Sequence, residues 1–131
     1  MVSSFEVRIT ISRVDGSNGV EVPALVDTAS TLVVVSPSIA GRVGLLPLEQ
    51  RPFRLGNEDV IHLPVANALI KVDGRSTAAR VAISPEEGTA ILGVTVLELL
   101  GLMVDPVGER LVPVEYLFKP VHSSGLATVS P

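Results

Sequence analysis

The chain has no cysteine and no tryptophan, and only three phenylalanines, one tyrosine and two histidines. Without cysteine there is no disulfide, no thiolate zinc site and no thiol nucleophile. His62 and His122 stand alone and lack the spacing of a metal site, so no metal or other cofactor is expected. Basic residues never cluster, no aromatic–basic interleaving occurs and the net charge is −4, which argues against a nucleic-acid partner. No apolar run approaches a membrane span. The first eight residues alternate in polarity, unlike the apolar centre of a signal peptide. The expectation is a soluble, cytoplasmic protein with no membrane contact.

What remains is aliphatic. Apolar residues make up 47% of 131 positions and aromatics only 3%, so Val, Leu, Ile and Ala must build the core of a single domain. A β-branched excess favours strands. Ten prolines and eleven glycines spread along the chain call for many turns between short elements. An all-β fold with one or two short helices follows.

Residues 5–12 alternate, with Phe5, Val7, Ile9 and Ile11 apolar and Glu6, Arg8, Thr10 and Ser12 polar, the mark of a half-buried strand. The turn cluster Asp15-Gly16-Ser17-Asn18-Gly19 makes residues 5–26 a hairpin whose second strand, Val22 to Val26, runs into Asp27. Leu32 to Val35 form a short apolar strand. Ser36-Pro37 supplies an N-cap and a first-turn proline for a brief helix stopping at Gly44. Two alternating stretches within residues 51–72 are joined by the polar tip Gly56-Asn57-Glu58-Asp59, and Val72-Asp73-Gly74-Arg75 turns between strands near 65–72 and 77–83. Thr89 to Leu92 form an interior strand, followed after Gly93 by Val94, Leu97, Leu100 and Met103 at helical spacing, with a stop at Gly101. A terminal strand is expected over residues 109–118. Residues 1–118 form the domain and residues 119–131 a tail. His62 on a strand, Glu86 and Glu87 in a loop, and Asp105-Pro106 at a turn have ordinary structural roles.

The segment Ala24-Leu25-Val26-Asp27-Thr28-Ala29-Ser30 is the candidate for chemistry. An apolar strand delivers a carboxylate to its end, and small hydroxyl-bearing residues follow at once. A carboxylate leaving a buried strand needs donors, which backbone amides and Thr or Ser hydroxyls supply. By itself such a segment is equally consistent with a turn that merely closes a strand. Further on, Ala90-Ile91-Leu92-Gly93 is apolar, ends in glycine and opens a helix.

In this order, Asp27-Thr28-Ala29-Ser30 and Ile91-Leu92-Gly93 resemble the two motifs of the retropepsin-like, retroviral-type aspartic proteases. Leu97 to Asp105 looks like the helix and exit strand that follow in bacterial relatives. The resemblance spans about residues 5 to 114 and implies a small acid-protease barrel closed as a two-fold homodimer. Each subunit of that family supplies one aspartate, and 131 residues with one such segment cannot hold two lobes. The implied activity is an aspartic endopeptidase. Asp27 and its symmetry mate would share a proton, one acting as general base on a water and the other donating to the scissile carbonyl.

The resemblance assigns supporting roles to Thr28, Ala29 and Ser30, with Thr28 hydrogen-bonding across the dimer axis. It places a flap over Phe53 to Ile61. Phe53, Leu55, Gly56, Asn57 and Glu58, with Ile91, Leu92 and Gly93, would meet an extended peptide or protein substrate. Family motifs usually have glycine at position 29, where this chain has Ala29, and retroviral members carry an aspartate where it has Thr31. Two alternatives therefore stand beside the enzyme: a weakly active or inactive dimer that binds peptide, and an unrelated monomeric β-barrel with a structural Asp27.

Overall fold

The computed structural model describes residues 4–121. The alternating N-terminal stretch is β1 (Phe5–Ser12), which pairs antiparallel with β2 (Val20–Val26) from Phe5↔Val26 to Ile11↔Val20. Its inward residues Ile9 and Ile11 are buried while Arg8 faces out to Glu21. Then follow β3 (Val33–Val35), α1 (Pro37–Val43), β4 (Glu49–Arg54), β5 (Val60–Val72) and β6 (Arg75–Ile83). The described chain ends with β7 (Ala90–Leu92), α2 (Val94–Leu100), β8 (Leu102–Asp105) and β9 (Arg110–Pro113).

The main sheet runs β1-β2-β7-β3-β6-β5-β4, and a further β1–β5 pairing closes its first six strands into a barrel with β4 left at the open edge. This is the expected all-β barrel with two short helices. β7 is inserted between β2 and β3, parallel to the first and antiparallel to the second. β8 and β9 form a separate two-stranded ribbon.

The barrel is filled almost entirely by Val, Ile, Leu and Ala, with no aromatic among its fully buried members. Each fully buried Val, Leu or Ile side chain contributes about 1.5–3 kcal/mol. A second, smaller cluster of Leu63, Val65 and Ala82, joined by Leu32, Val34, Phe53 and Ile61, sits where the β4–β5 hairpin leaves the barrel. Both helices obey their sequence signals. Ser36 Oγ accepts from Ile39 N–H at 3.2 Å, and Gly44 (φ 82°) and Gly101 (φ 71°) close the helices in the left-handed conformation.

The two alternating stretches expected within residues 51–72 are β4 and β5, joined by the polar tip, and β5 is one strand of 13 residues that serves β4 with its first half and the barrel with its second. Pro64 falls one residue outside the β6 ladder, which ends at Val65↔Ala82, a place where a missing N–H is tolerated. The terminal strand expected over residues 109–118 is only β9, because its partner β8 is four residues long and offers no further ladder. Beyond it Val114 N–H reaches Gly101 O at 2.9 Å and the chain then runs on irregularly. The expected tail, apart from its first three residues, lies outside the described residues, as does His122.

Candidate active site

β2 buries Val22, Ala24 and Val26, and Asp27 follows half-buried at its end. Because β2 lies parallel to β7 with Val26↔Leu92 as its last pair, the ladder gains one more bond from Asp27 N–H to Leu92 O, at 3.1 Å. The carboxylate then folds back on its own loop. Asp27 Oδ1 accepts from Ala29 N–H at 3.0 Å, and Asp27 O accepts from Ser30 N–H at 3.0 Å. Among the described residues no other group hydrogen-bonds that carboxylate, so its second oxygen stays outside the turn.

The apolar-apolar-glycine motif supports this loop from behind. Ser30 O and Thr31 O accept from Val94 N–H (2.9 Å) and Thr95 N–H (3.1 Å), which satisfies amides at the start of α2 that a helix leaves unpaired. Gly93 is the N-cap and has no side chain to do this. A Cβ there would stand 2.5 Å from Leu32 O and 2.7 Å from Ser30 O, so the loop can lie this close only over glycine. The two motifs, far apart in the chain, are therefore halves of one structure.

Ala29 does not occupy the glycine region of backbone space. The non-glycine residues with positive φ are Asn18, Glu58, Asp73 and Glu109 among the described residues. With Ser30, Thr31 and Leu32, Ala29 lines a cleft of about 550 Å³ whose other walls are Val34, Val65, the β4 residues Arg51 to Arg54, and Arg80 on β6. Phe53 thus lines the cleft.

Other assigned residues stand elsewhere. Leu55, Gly56, Asn57 and Glu58 form the exposed tip of the β4–β5 hairpin, closed by Leu55 N–H to Asp59 O at 2.8 Å and by Asn57 Oδ1 accepting from Asp59 N–H at 3.1 Å. They do not line the cleft of this single chain. The left-handed position of the tip is Glu58 (φ 74°), while Gly56 has open space around it. Ile91 is half-buried between β2 and β3, and Leu92 is fully buried; with Gly93 they carry the Asp27 loop. Thr28 is exposed and borders a different groove of about 500 Å³ with Val94, Leu97, Met103 and Tyr116.

The sequence alone did not point to Arg51, Arg54 and Arg80 as cleft residues. They lie on two strands that do not pair with each other, and no local pattern marks them. Among the described residues no three His, Asp or Glu side chains are grouped to hold a metal ion, and no helix is long and apolar enough to cross a membrane.

Residues 16–99, more than half of the chain, match the family described as "gag-polyprotein putative aspartyl protease". No curated protein matches the chain. Among solved structures, the Simian Foamy Virus (mac) protease is similar over 73% of this chain and 94% of its own, with a TM-score of 0.55 and 19% identity. The EIAV protease complexed with the inhibitor HBY-793 has the same TM-score and identity, over 74% of this chain and 88% of its own. The Asp27 loop and the glycine that supports it both lie inside the matched region, and the chain belongs to the gag-type aspartyl proteases, with a retropepsin-like fold.

Proposed function

We propose that this protein is an aspartic endopeptidase whose active site is completed when two copies bring their Asp27 carboxylates together. One observation carries this reading: Asp27 is held by Leu92 O, Ala29 N–H and Ser30 N–H at the start of a loop whose next residues, Ala29 to Leu32, line a cleft, and half of its carboxylate is uncommitted. A chain with one such loop supplies one of the two carboxylates the mechanism needs. Two carboxylates held close cannot both ionise cheaply, so the pair retains a proton between them. One carboxylate then draws a proton from a water while the other donates to the carbonyl oxygen of the scissile bond. The tetrahedral species collapses with proton transfer to the leaving amine.

Exposed Thr28 supports the dimer, because the groove it borders is rimmed by Met103 and Tyr116, which are 48% and 67% exposed. Leu117 and Phe118 continue that apolar stretch along the chain. Apolar surface of this kind marks an interaction face. The open edge of β4 suits an extended peptide, which would add main-chain hydrogen bonds there. Residues 1–118 then form the catalytic domain, with residues 119–131 appended.

Turnover of a quenched-fluorescence peptide library should rise more steeply than linearly with protein concentration until the dimer saturates, and should peak on the acid side of neutrality. Sedimentation at micromolar protein should show the dimer. A monomer with activity proportional to concentration, or a rate climbing steadily to alkaline pH, would overturn the proposal. Folded dimer that binds peptide and never cleaves it would favour the second reading, a peptide-binding module. The feature behind that reading is Ala29. Since its backbone is not left-handed, Ala29→Gly is expected to lower stability by about 0.4–1 kcal/mol through the looser unfolded chain. The same variant should leave kcat/KM within about threefold, under 1 kcal/mol. A much larger gain in activity would show that the methyl obstructs the peptide.

A further inference from the structure

The charge of the cleft does not follow from the charge of the protein. The chain carries −4 overall, yet every charged residue lining the cleft is cationic: Arg51 and Arg54 on β4, and Arg80 on β6. Their nearest carboxylates are too few to neutralise them. Glu49 is shared, accepting from Arg51 Nε at 2.7 Å and from Arg80 Nη1 at 3.1 Å. Arg54 has only the 78%-exposed Glu58 at 3.5 Å, a pair of little strength. Three cations face two anions. Each guanidinium has five N–H donors in a rigid fork, so most of them remain free for another acceptor. Arg51, with Arg80 beyond it, also holds the Glu49 carboxyl below the usual range, so this arrangement persists in mild acid. Thr31 is uncharged, and no carboxylate from the Asp27 loop's second half lines the cleft.

We propose that the cleft selects peptides bearing an Asp or Glu side chain close to the scissile bond, with Arg51, Arg54 and Arg80 as the residues that recognise it. The inference rests on the endopeptidase reading and names its substrate class. The apolar part of the cleft, Leu32, Val34 and Phe53, takes an aliphatic neighbour of the acidic residue. A guanidinium receives a carboxylate through two parallel hydrogen bonds, and a neutral amide cannot replace that contact. The three arginine side chains are 42–64% exposed, so salt screens the attraction and the paired hydrogen bonds carry the selectivity.

Matched peptides with Glu or Gln scanned through each position of an apolar frame provide the test. For the best position, kcat/KM should favour Glu by about tenfold at low salt. The ratio should shrink towards unity at about 0.5 M salt. It should also shrink as pH falls through about 4.3, where the substrate carboxyl takes up a proton. Arg80→Gln and, separately, Arg54→Gln should each reduce the ratio; Arg54 lies outside the Glu49 cluster, so it serves if the first variant folds poorly. Equal cleavage of Glu and Gln peptides at every position would overturn the inference while leaving the endopeptidase intact. If no peptide is cleaved, the endopeptidase reading fails, and binding of the same peptides decides the inference: tighter binding of the Glu series supports it, equal binding refutes it.

Discussion

Asp27→Asn is expected to reduce peptide cleavage by roughly 10³-fold or more while the protein remains folded and dimeric. Asparagine has nearly the shape of aspartate, and its amide oxygen can still accept from Ala29 N–H, now at 3.0 Å. The backbone bonds to Leu92 and Ser30 do not involve the side chain at all. The turn therefore survives, with a stability change of about 1 kcal/mol at most. What is lost is chemical. An amide neither takes a proton from water nor holds the one that a carboxylic acid donates to the carbonyl, and the loss falls on both copies of a symmetric pair. Single-turnover cleavage beside thermal unfolding of the same samples separates the two effects. Full activity in a folded dimer of the Asp27→Asn variant would remove Asp27 from the chemistry. Asp27→Ala is the less informative choice, since it also takes the acceptor away from Ala29.

The sequence was most legible where structure is decided locally. The alternation of residues 5–12, the Ser36-Pro37 start and Gly44 stop of α1, and the Asp73-Gly74 turn (φ 51° and 79°) each depend on neighbours within a few positions. The acidic strand end and the glycine-helix sequel were legible as motifs, but not the reason they belong together. That reason is the insertion of β7 between β2 and β3, which places Gly93 against the carbonyls of Ser30 and Leu32. Periodicity records which residues are buried and is silent on which strand lies beside which.

The same limit explains the misjudged length of the last strand. Val114 and Leu117 look like strand residues, yet a strand extends only as far as its partner, and β8 begins only at Leu102, opposite Pro113, with α2 before it. β5 is continuous because two different partners, β4 and β6, take over from each other at Val65. The cleft arginines were invisible for a related reason. Arg51 stands opposite Leu63 and Arg80 opposite Asn67, both on β5, so only the register of that long central strand brings their side chains to one shared carboxylate. Ala29 stands at the motif's usual glycine position, yet the loop keeps its φ out of the left-handed region and places its tight constraint at Gly93 instead.

Gly93→Ala is consequently expected to be the most damaging single-methyl change near the site. The obstacle is spatial, because φ −86° and ψ 177° are open to any residue. A Cβ would stand 2.5 Å from Leu32 O, 2.7 Å from Ser30 O and 2.9 Å from Thr31 C, all backbone atoms with no rotamer to change. Relief requires the Asp27 loop and the start of α2 to separate, at the expense of the bonds from Val94 and Thr95 to that loop. A cost of about 3 kcal/mol is expected, from overpacking against a backbone that cannot give way. For a chain of this size that lowers Tm by about 10 °C. Activity of the folded fraction should fall further, on the order of 10²-fold, since a shift of about 1 Å in a positioned carboxylate is enough for that. Gly56→Ala is the matched control: its Cβ would meet nothing within 4 Å and its φ is not left-handed, so stability should change by about 0.5 kcal/mol or less. Calorimetry of both variants with cleavage measured well below their unfolding transitions gives the comparison. An unchanged Tm in the Gly93 variant would mean that the loop does not rest on this residue, and the link drawn between the two motifs would have to be abandoned.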